Sequence, residues 1–123
     1  MAKQLLSALL YLDSLGIVHR DINPANIILS GSHATLIDFQ TACVVTPSRP
    51  SGPTGTFPFQ APEMWSPSGY DTKVDVWALG LVLERLLRAA EPLLYAELQG
   101  LVEWCLQADP EDRCSAEQAL ASI

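Results

Sequence analysis

The residues able to do chemistry lie in a few short polar stretches. His19-Arg20-Asp21-Ile22-Asn23-Pro24-Ala25-Asn26 is a charged run between two apolar pieces, Ile17-Val18 and Ile27-Ile28-Leu29. Asp38-Phe39-Gln40 begins twelve residues after Asn26. Gly55-Thr56, Ala61-Pro62-Glu63 and Asp75-Val76-Trp77-Ala78-Leu79-Gly80 follow in that order. Carboxylate and carboxamide oxygens are hard ligands of the kind Mg2+ takes. A carboxylate beside a hydroxyl can orient it and accept its proton. Taken singly in loops, Asp and Asn are also ordinary turn formers, so residue type alone leaves both uses open.

These stretches need elements to hold them. From Lys3 to Leu15 the apolar spacing predicts a helix, closed by Gly16, the favoured residue just past a helix end. Two short apolar runs, Ile27-Ile28-Leu29 and Thr35-Leu36-Ile37, flank the polar turn Ser30-Gly31-Ser32-His33 and predict a small hairpin. That hairpin would fold Asn26 and Asp38 back to one end. Residues 41–58 hold four prolines and two glycines, too many for a helix, and proline confines any strand there to an edge. So long a structureless loop is expected to be functional. A helix over 73–88 carries apolar residues around nearly its whole circumference, which predicts a buried central position. Thr72 to Asp75 reads as a capping box at its start. A further helix over about 94–107 ends before Pro110, and Ser115 to Gln118 reads as a capping box opening a short last helix. The expected fold is mainly α with a small β-hairpin, in one domain.

The chain's 123 residues are 49% apolar and 17% charged, enough to bury one core and unlike a disordered tail. Its net charge of −7 argues against a nucleic-acid partner. Residues 1–62 balance three basic against three acidic side chains, whereas residues 63–123 hold four against eleven. Any anion site is therefore expected in the first half, or to bring its own cation. Cys43, Cys105 and Cys114 form no C-x-x-C pair, so a disulfide framework or zinc site is not expected. The apolar run from Leu5 to Leu12 is shorter than a membrane span needs and lacks a small-residue cleavage site, which predicts neither membrane association nor a leader. The expected location is intracellular: the cytoplasm, with the nucleus also open.

The ordered set resembles the eukaryotic-type protein kinase family, on the Ser/Thr rather than the tyrosine side. H-R-D-x-x-x-x-N at 19–26, D-F at 38–39, A-P-E at 61–63 and D-V-W-x-L-G at 75–80 all match in order and spacing. The likeness spans essentially the whole chain but only the family's C-terminal lobe, with a catalytic loop at 19–26 and an activation segment at 38–63. It implies ATP and a protein hydroxyl as substrates. Asp21 would be the catalytic base, and Asn26 and Asp38 the Mg2+ ligands. His19, Arg20, Asn23, Phe39, Thr56, Glu63, Asp75 and Arg113 would be regulatory or structural. Within that set, Asp75 would bond the backbone of the His19 loop, and Glu63 would pair with Arg113. Arg20 would mark control by phosphorylation of the segment holding Thr46, Ser48, Ser51 and Thr54.

Departures from the family pattern are as specific as the matches. The 123 residues hold no glycine-rich loop, no strand lysine for the phosphates, no glutamate to hold it and no hinge. The resemblance therefore implies that the other lobe comes from another chain or a longer gene product, and that this chain alone turns over little. A pseudokinase-like binding module is the alternative. Asn23 stands where Ser/Thr kinases usually carry lysine, leaving at most a neutral hydrogen bond for the γ-phosphate. Losing such an electrostatic stabiliser costs about 10²–10³ in rate. Gln40 replaces a hinge glycine, which narrows the backbone. Asp75 and Arg113 are only 38 positions apart, barely leaving room, between Ala89 and Leu94, for a helix that often docks substrates.

Overall fold

The computed structural model describes residues 1–123, as four α-helices and four short strands. Helix α1 spans Ala2–Ser14, strand β1 Ile17–Val18, β2 Ile27–Ser30, β3 His33–Leu36 and β4 Cys43–Val44. Helices α2 (Lys73–Ala90), α3 (Pro92–Cys105) and α4 (Ala116–Ala121) complete the chain, with 3-10 turns at Pro24–Asn26 and Pro62–Trp65. The expected fold class therefore holds at the level of mainly helical with small antiparallel sheets.

Helix α1 buries Leu5, Leu6, Leu9 and Leu12 along one stripe and stops at Gly16, whose φ of 68° most side chains would resist. Its Gln4 side chain accepts the Ala34 N–H at 2.5 Å, which fixes the hairpin against the helix. In that hairpin Ile27 pairs with Leu36 and Ser30 with His33. The turn is only Gly31-Ser32, tighter than the sequence suggests, because Ser30 and His33 pair with each other and join the ladder.

Helix α2 is the buried centre the apolar pattern predicts, covering Val76, Leu79, Val82, Leu83 and Leu87. Together with Leu5, Leu6 and Leu9 of α1, and Leu101, Val102 and Cys105 of α3, they make the main core. The Sγ atoms of Cys105 and Cys114 lie 3.7 Å apart inside it. Their mutual hydrogen bond, helped by burial, holds the Cys105 thiol above the usual range. A smaller cluster of Val18, Ala61, Met64, Tyr70 and Val74 pins the end of the long loop to β1 and α2. No helix is long and apolar enough to cross a membrane.

Three details differ from the sequence reading. First, the loop after Thr41 is not wholly irregular, since β4 pairs antiparallel with β1, Ile17 opposite Val44 and Val18 opposite Cys43. Two-residue strands are too short to show alternation. Second, Thr72 makes no capping bond. The Lys73 N–H goes to Asp71 Oδ1 at 2.9 Å, and the Thr72 hydroxyl goes to Asp13 at 2.6 Å. Third, α3 starts at Pro92, with Glu91 alone separating it from α2. Proline suits a first helical position, where no N–H is needed. No helix intervenes there. The box at Ser115 forms in full: its Oγ accepts from Gln118 N at 3.1 Å, and Gln118 Oε1 accepts from Ser115 N at 2.9 Å.

Candidate active site

The loop from His19 to Asn26 is suspended between α2 and the hairpin. Asp75, on the first turn of α2 and 2% exposed, accepts the N–H of His19 at 2.7 Å and of Arg20 at 3.0 Å. Burial raises the Asp75 carboxyl to about 6, although those two N–H bonds act to lower it. Arg20 takes a left-handed φ of 73°, costly for a residue with a side chain. Its guanidinium donates from Nε to the Thr41 carbonyl at 2.8 Å and from Nη1 to the Tyr70 hydroxyl at 3.4 Å. Tyr70 in turn donates to Gly52 O at 2.8 Å.

His19 is wholly buried. The Asp21 N–H donates to its Nδ1 at 3.1 Å, so Nδ1 is an acceptor and Nε2 carries the proton that reaches Ile37 O at 3.0 Å. The Ile37 N–H donates to Asn26 O at 2.9 Å. Ile37 is thus tied at both ends, and Asp38 follows directly from it. Asp38 is left-handed, with φ 62°, and exposed; its only bond is a long one, 3.3 Å from the Gln40 N–H. The strain falls on Asp38 rather than on Gln40, so a residue with a Cβ is accommodated at position 40. Phe39 packs edge-on against the His19 ring at 4.9 Å.

Asp21 sits within a ring of neutral donors. Thr56 Oγ1 donates to Asp21 Oδ1 at 2.6 Å and Asn23 Nδ2 to the same oxygen at 2.9 Å. Asn26 Nδ2 donates to Asp21 Oδ2 at 3.1 Å and to its carbonyl at 2.8 Å. With its amide nitrogen fixed on Asp21, Asn26 leaves its Oδ1 unpaired. Asn23 has no such reserve: its Nδ2 bonds Asp21, and Thr56 at 3.3 Å, while its Oδ1 accepts the Ala25 N–H at 2.9 Å. The neutral bond that sequence leaves open toward a phosphate is therefore already made within the loop. Gly55, with φ 101°, passes so close to the Arg20 carbonyl that a Cβ would overlap it, which is how Thr56 comes within reach of Asp21.

Asp21, Asn23, Asn26 and Thr56 thus meet directly, and His19 and Phe39 join them to Asp38 through Ile37. Glu63 and Arg113 are paired away from this centre, at 2.6 Å and 2.9 Å. Thr41 and Tyr70 were not anticipated. Thr41 also donates to the His19 carbonyl at 2.9 Å. A lone tyrosine ending the polar stretch Ser66 to Gly69 is the one signal that pointed to an anchoring role.

Residues 1–97 match the family model described as the protein kinase domain. This chain belongs to the protein kinase family. It is 41% identical over 107 residues to sperm motility kinase 2B of Mus musculus, covering 85% of this chain and 22% of that protein. It is 34% identical to serine/threonine-protein kinase cds1 of Schizosaccharomyces pombe, covering 98% of this chain and 34% of that one. Serine/threonine-protein kinase CG17528 of Drosophila melanogaster is 33% identical, with 98% of this chain and 20% of the relative covered. The kinase chain thus spans between a fifth and about a third of the length of these relatives. The second and third alignments run over 155 and 154 positions, more than the chain's 123 residues, so these kinases carry insertions relative to it.

Proposed function

We propose that this chain is the C-terminal lobe of a serine/threonine protein kinase, carrying the centre that transfers the γ-phosphoryl group of ATP to a protein hydroxyl. The observation that carries this reading is Asp21, a carboxylate oriented by three side-chain donors with no cation beside it. In the transfer, the acceptor oxygen bonds to the γ-phosphorus as the bond to the β–γ bridging oxygen breaks and ADP leaves. Asp21 orients the hydroxyl and takes its proton. Asn26 and Thr56 keep the carboxylate aimed, and Asp75 holds the loop on which it sits. Most of the acceleration in such reactions comes from positioning and charge neutralisation.

The residues fit a divalent cation. Asn26 Oδ1 and the Asp38 carboxylate are the free hard oxygens of this centre, and the Ile37–Asn26 bond sets their two backbones side by side. They would hold Mg2+, which when bound neutralises charge on the phosphates. Arg20, which makes no ion pair, would receive a phosphate on the segment around Thr46 to Thr54. ATP needs groups that these residues do not include, so an N-terminal lobe from a longer product or another chain completes the site.

A radiolabelled-ATP assay with generic protein substrates tests the reading. The chain alone is expected to show negligible transfer. A form that includes the N-lobe is expected to be active and to lose at least about 10³-fold in kcat on Asp21→Ala. Transfer by the chain alone that vanishes in Asp21→Ala would show the other lobe to be dispensable. An N-lobe-bearing form with no transfer at all would favour the second reading, a non-catalytic binding module, for which the inward-facing Asn23 amide speaks.

A further inference from the structure

Of the chain's arginines, Arg85 alone makes neither an ion pair nor a hydrogen bond. Arg49 lies 4.0 Å from Asp71, Arg113 is locked to Glu63, and Arg88 lies on Tyr95. Arg20 donates to Thr41 and Tyr70. Arg85, exposed on α2, holds its guanidinium 4.9 Å above the Phe59 ring. Phe59 is 8% exposed, and it lines the same crevice as Asp21 and Thr56. An unpaired cation therefore stacks on a ring that borders the crevice Asp21 also lines. The charge count by halves puts an anion site in residues 1–62 unless the anion brings its own cation, but the fold carries this second-half cation across to a first-half ring.

We propose that Arg85 is a specificity-determining residue, and that this kinase lobe favours acceptor segments with an acidic side chain near the phosphorylated hydroxyl. The proposal rests on the reading of Asp21 as the acceptor site. An extended segment advances about 3.3–3.6 Å per residue, so with its hydroxyl at Asp21 a side chain a few residues away crosses the Phe59 rim. There the guanidinium offers its planar fork to a carboxylate, and the ring beneath it holds water off one face. A lysine at that position would meet like charge.

The net charge of −7 makes the test severe, because long-range attraction favours basic peptides. At physiological ionic strength that attraction is screened beyond about 8 Å, whereas a direct Arg85 contact is not. The chain, labelled with 15N, is titrated with serine peptides of Gly and Ala in which one Glu, or one Lys, is scanned through three positions on either side of the serine. One Glu position is expected to bind about fivefold tighter than its Lys twin, the gain of a good exposed ion pair, and to shift the amides of Asp21, Thr56 and Phe59. Arg85→Gln should erase the difference, Arg85→Glu should reverse it, and Arg85→Lys should keep part of it. Peptides that shift those amides without charge preference, or with a preference surviving in Arg85→Glu, overturn the proposal and leave the acceptor-site reading standing. If no peptide shifts those amides, both fail.

Discussion

Replacing Arg113 by alanine is expected to lower the stability of this chain by about 3–5 kcal/mol, the range for breaking a buried ion pair by removing one partner. Arg113 is 1% exposed, and all five of its N–H donors are used. Two form a fork onto Glu63 at 2.6 Å and 2.9 Å. The others reach the carbonyls of Gln107 at 3.0 Å, Lys73 at 2.9 Å and Ala108 at 3.3 Å. The guanidinium also lies 5.2 Å from the Trp77 ring centre. Alanine strands the Glu63 charge and three carbonyls together, at the point where the long loop, α2 and the start of α4 converge. Domains of this size are stable by roughly 6–18 kcal/mol, so the loss is a large fraction. Urea denaturation with an unchanged m-value is the measurement. Arg113→Lys should recover little, because an ammonium cannot make the fork. A loss below about 1 kcal/mol would mean that the pair behaves as a solvated one.

Asp75→Ala is expected to cost about 2–4 kcal/mol at pH 7, since it leaves the N–H groups of His19 and Arg20 buried without acceptors. Asp75→Asn retains one acceptor but turns an amide N–H toward a backbone N–H, and should fall between. The pH dependence has a definite sign. The folded carboxyl sits at about 6, against an ordinary value of 3.8, so the folded state binds the proton more tightly. The stability this group contributes is fully present below about 3.8 and is lost as the pH rises through about 6, a change on the order of 3 kcal/mol. The advantage of the parent chain over Asp75→Asn should therefore shrink between pH 4 and pH 7, with all other groups common to both. An advantage that grows over that interval would mean that the two N–H bonds outweigh burial. Both variants also release the left-handed Arg20, so the 2.6 Å bond from Thr56 to Asp21 should loosen with the loop.

What could be read from the sequence was what depends on neighbours along the chain. The box at Ser115 has both partners within three residues, and the hairpin's apolar runs flank one short polar stretch. The buried stripe of α2 was visible for the same reason. Thr72 failed as a cap because its hydroxyl is drawn across the fold to Asp13 and the Asp75 carboxylate to His19, contacts that no local pattern encodes. The pairing of β1 with β4 was hidden because two residues cannot alternate. At the centre, the family resemblance singled out Asp21, Asn26 and Asp38, but their surroundings could not be read from it. That Asn23 turns its amide inward, that Asp38 rather than Gln40 takes the left-handed backbone, and that Arg85 settles on Phe59 all depend on packing between segments distant in sequence.

The central claim is that Asn26 and Asp38 hold a divalent cation beside Asp21. Titration of the 15N-labelled chain with Mn2+, a paramagnetic stand-in for Mg2+, tests it directly. The account predicts that the amide signals of Asp21, Asn26, Ile37 and Asp38 broaden first, and that Asp38→Ala removes the effect without altering the rest of the spectrum. Broadening that instead begins at the acidic stretch Asp109, Glu111 and Asp112, and persists in Asp38→Ala, would contradict it.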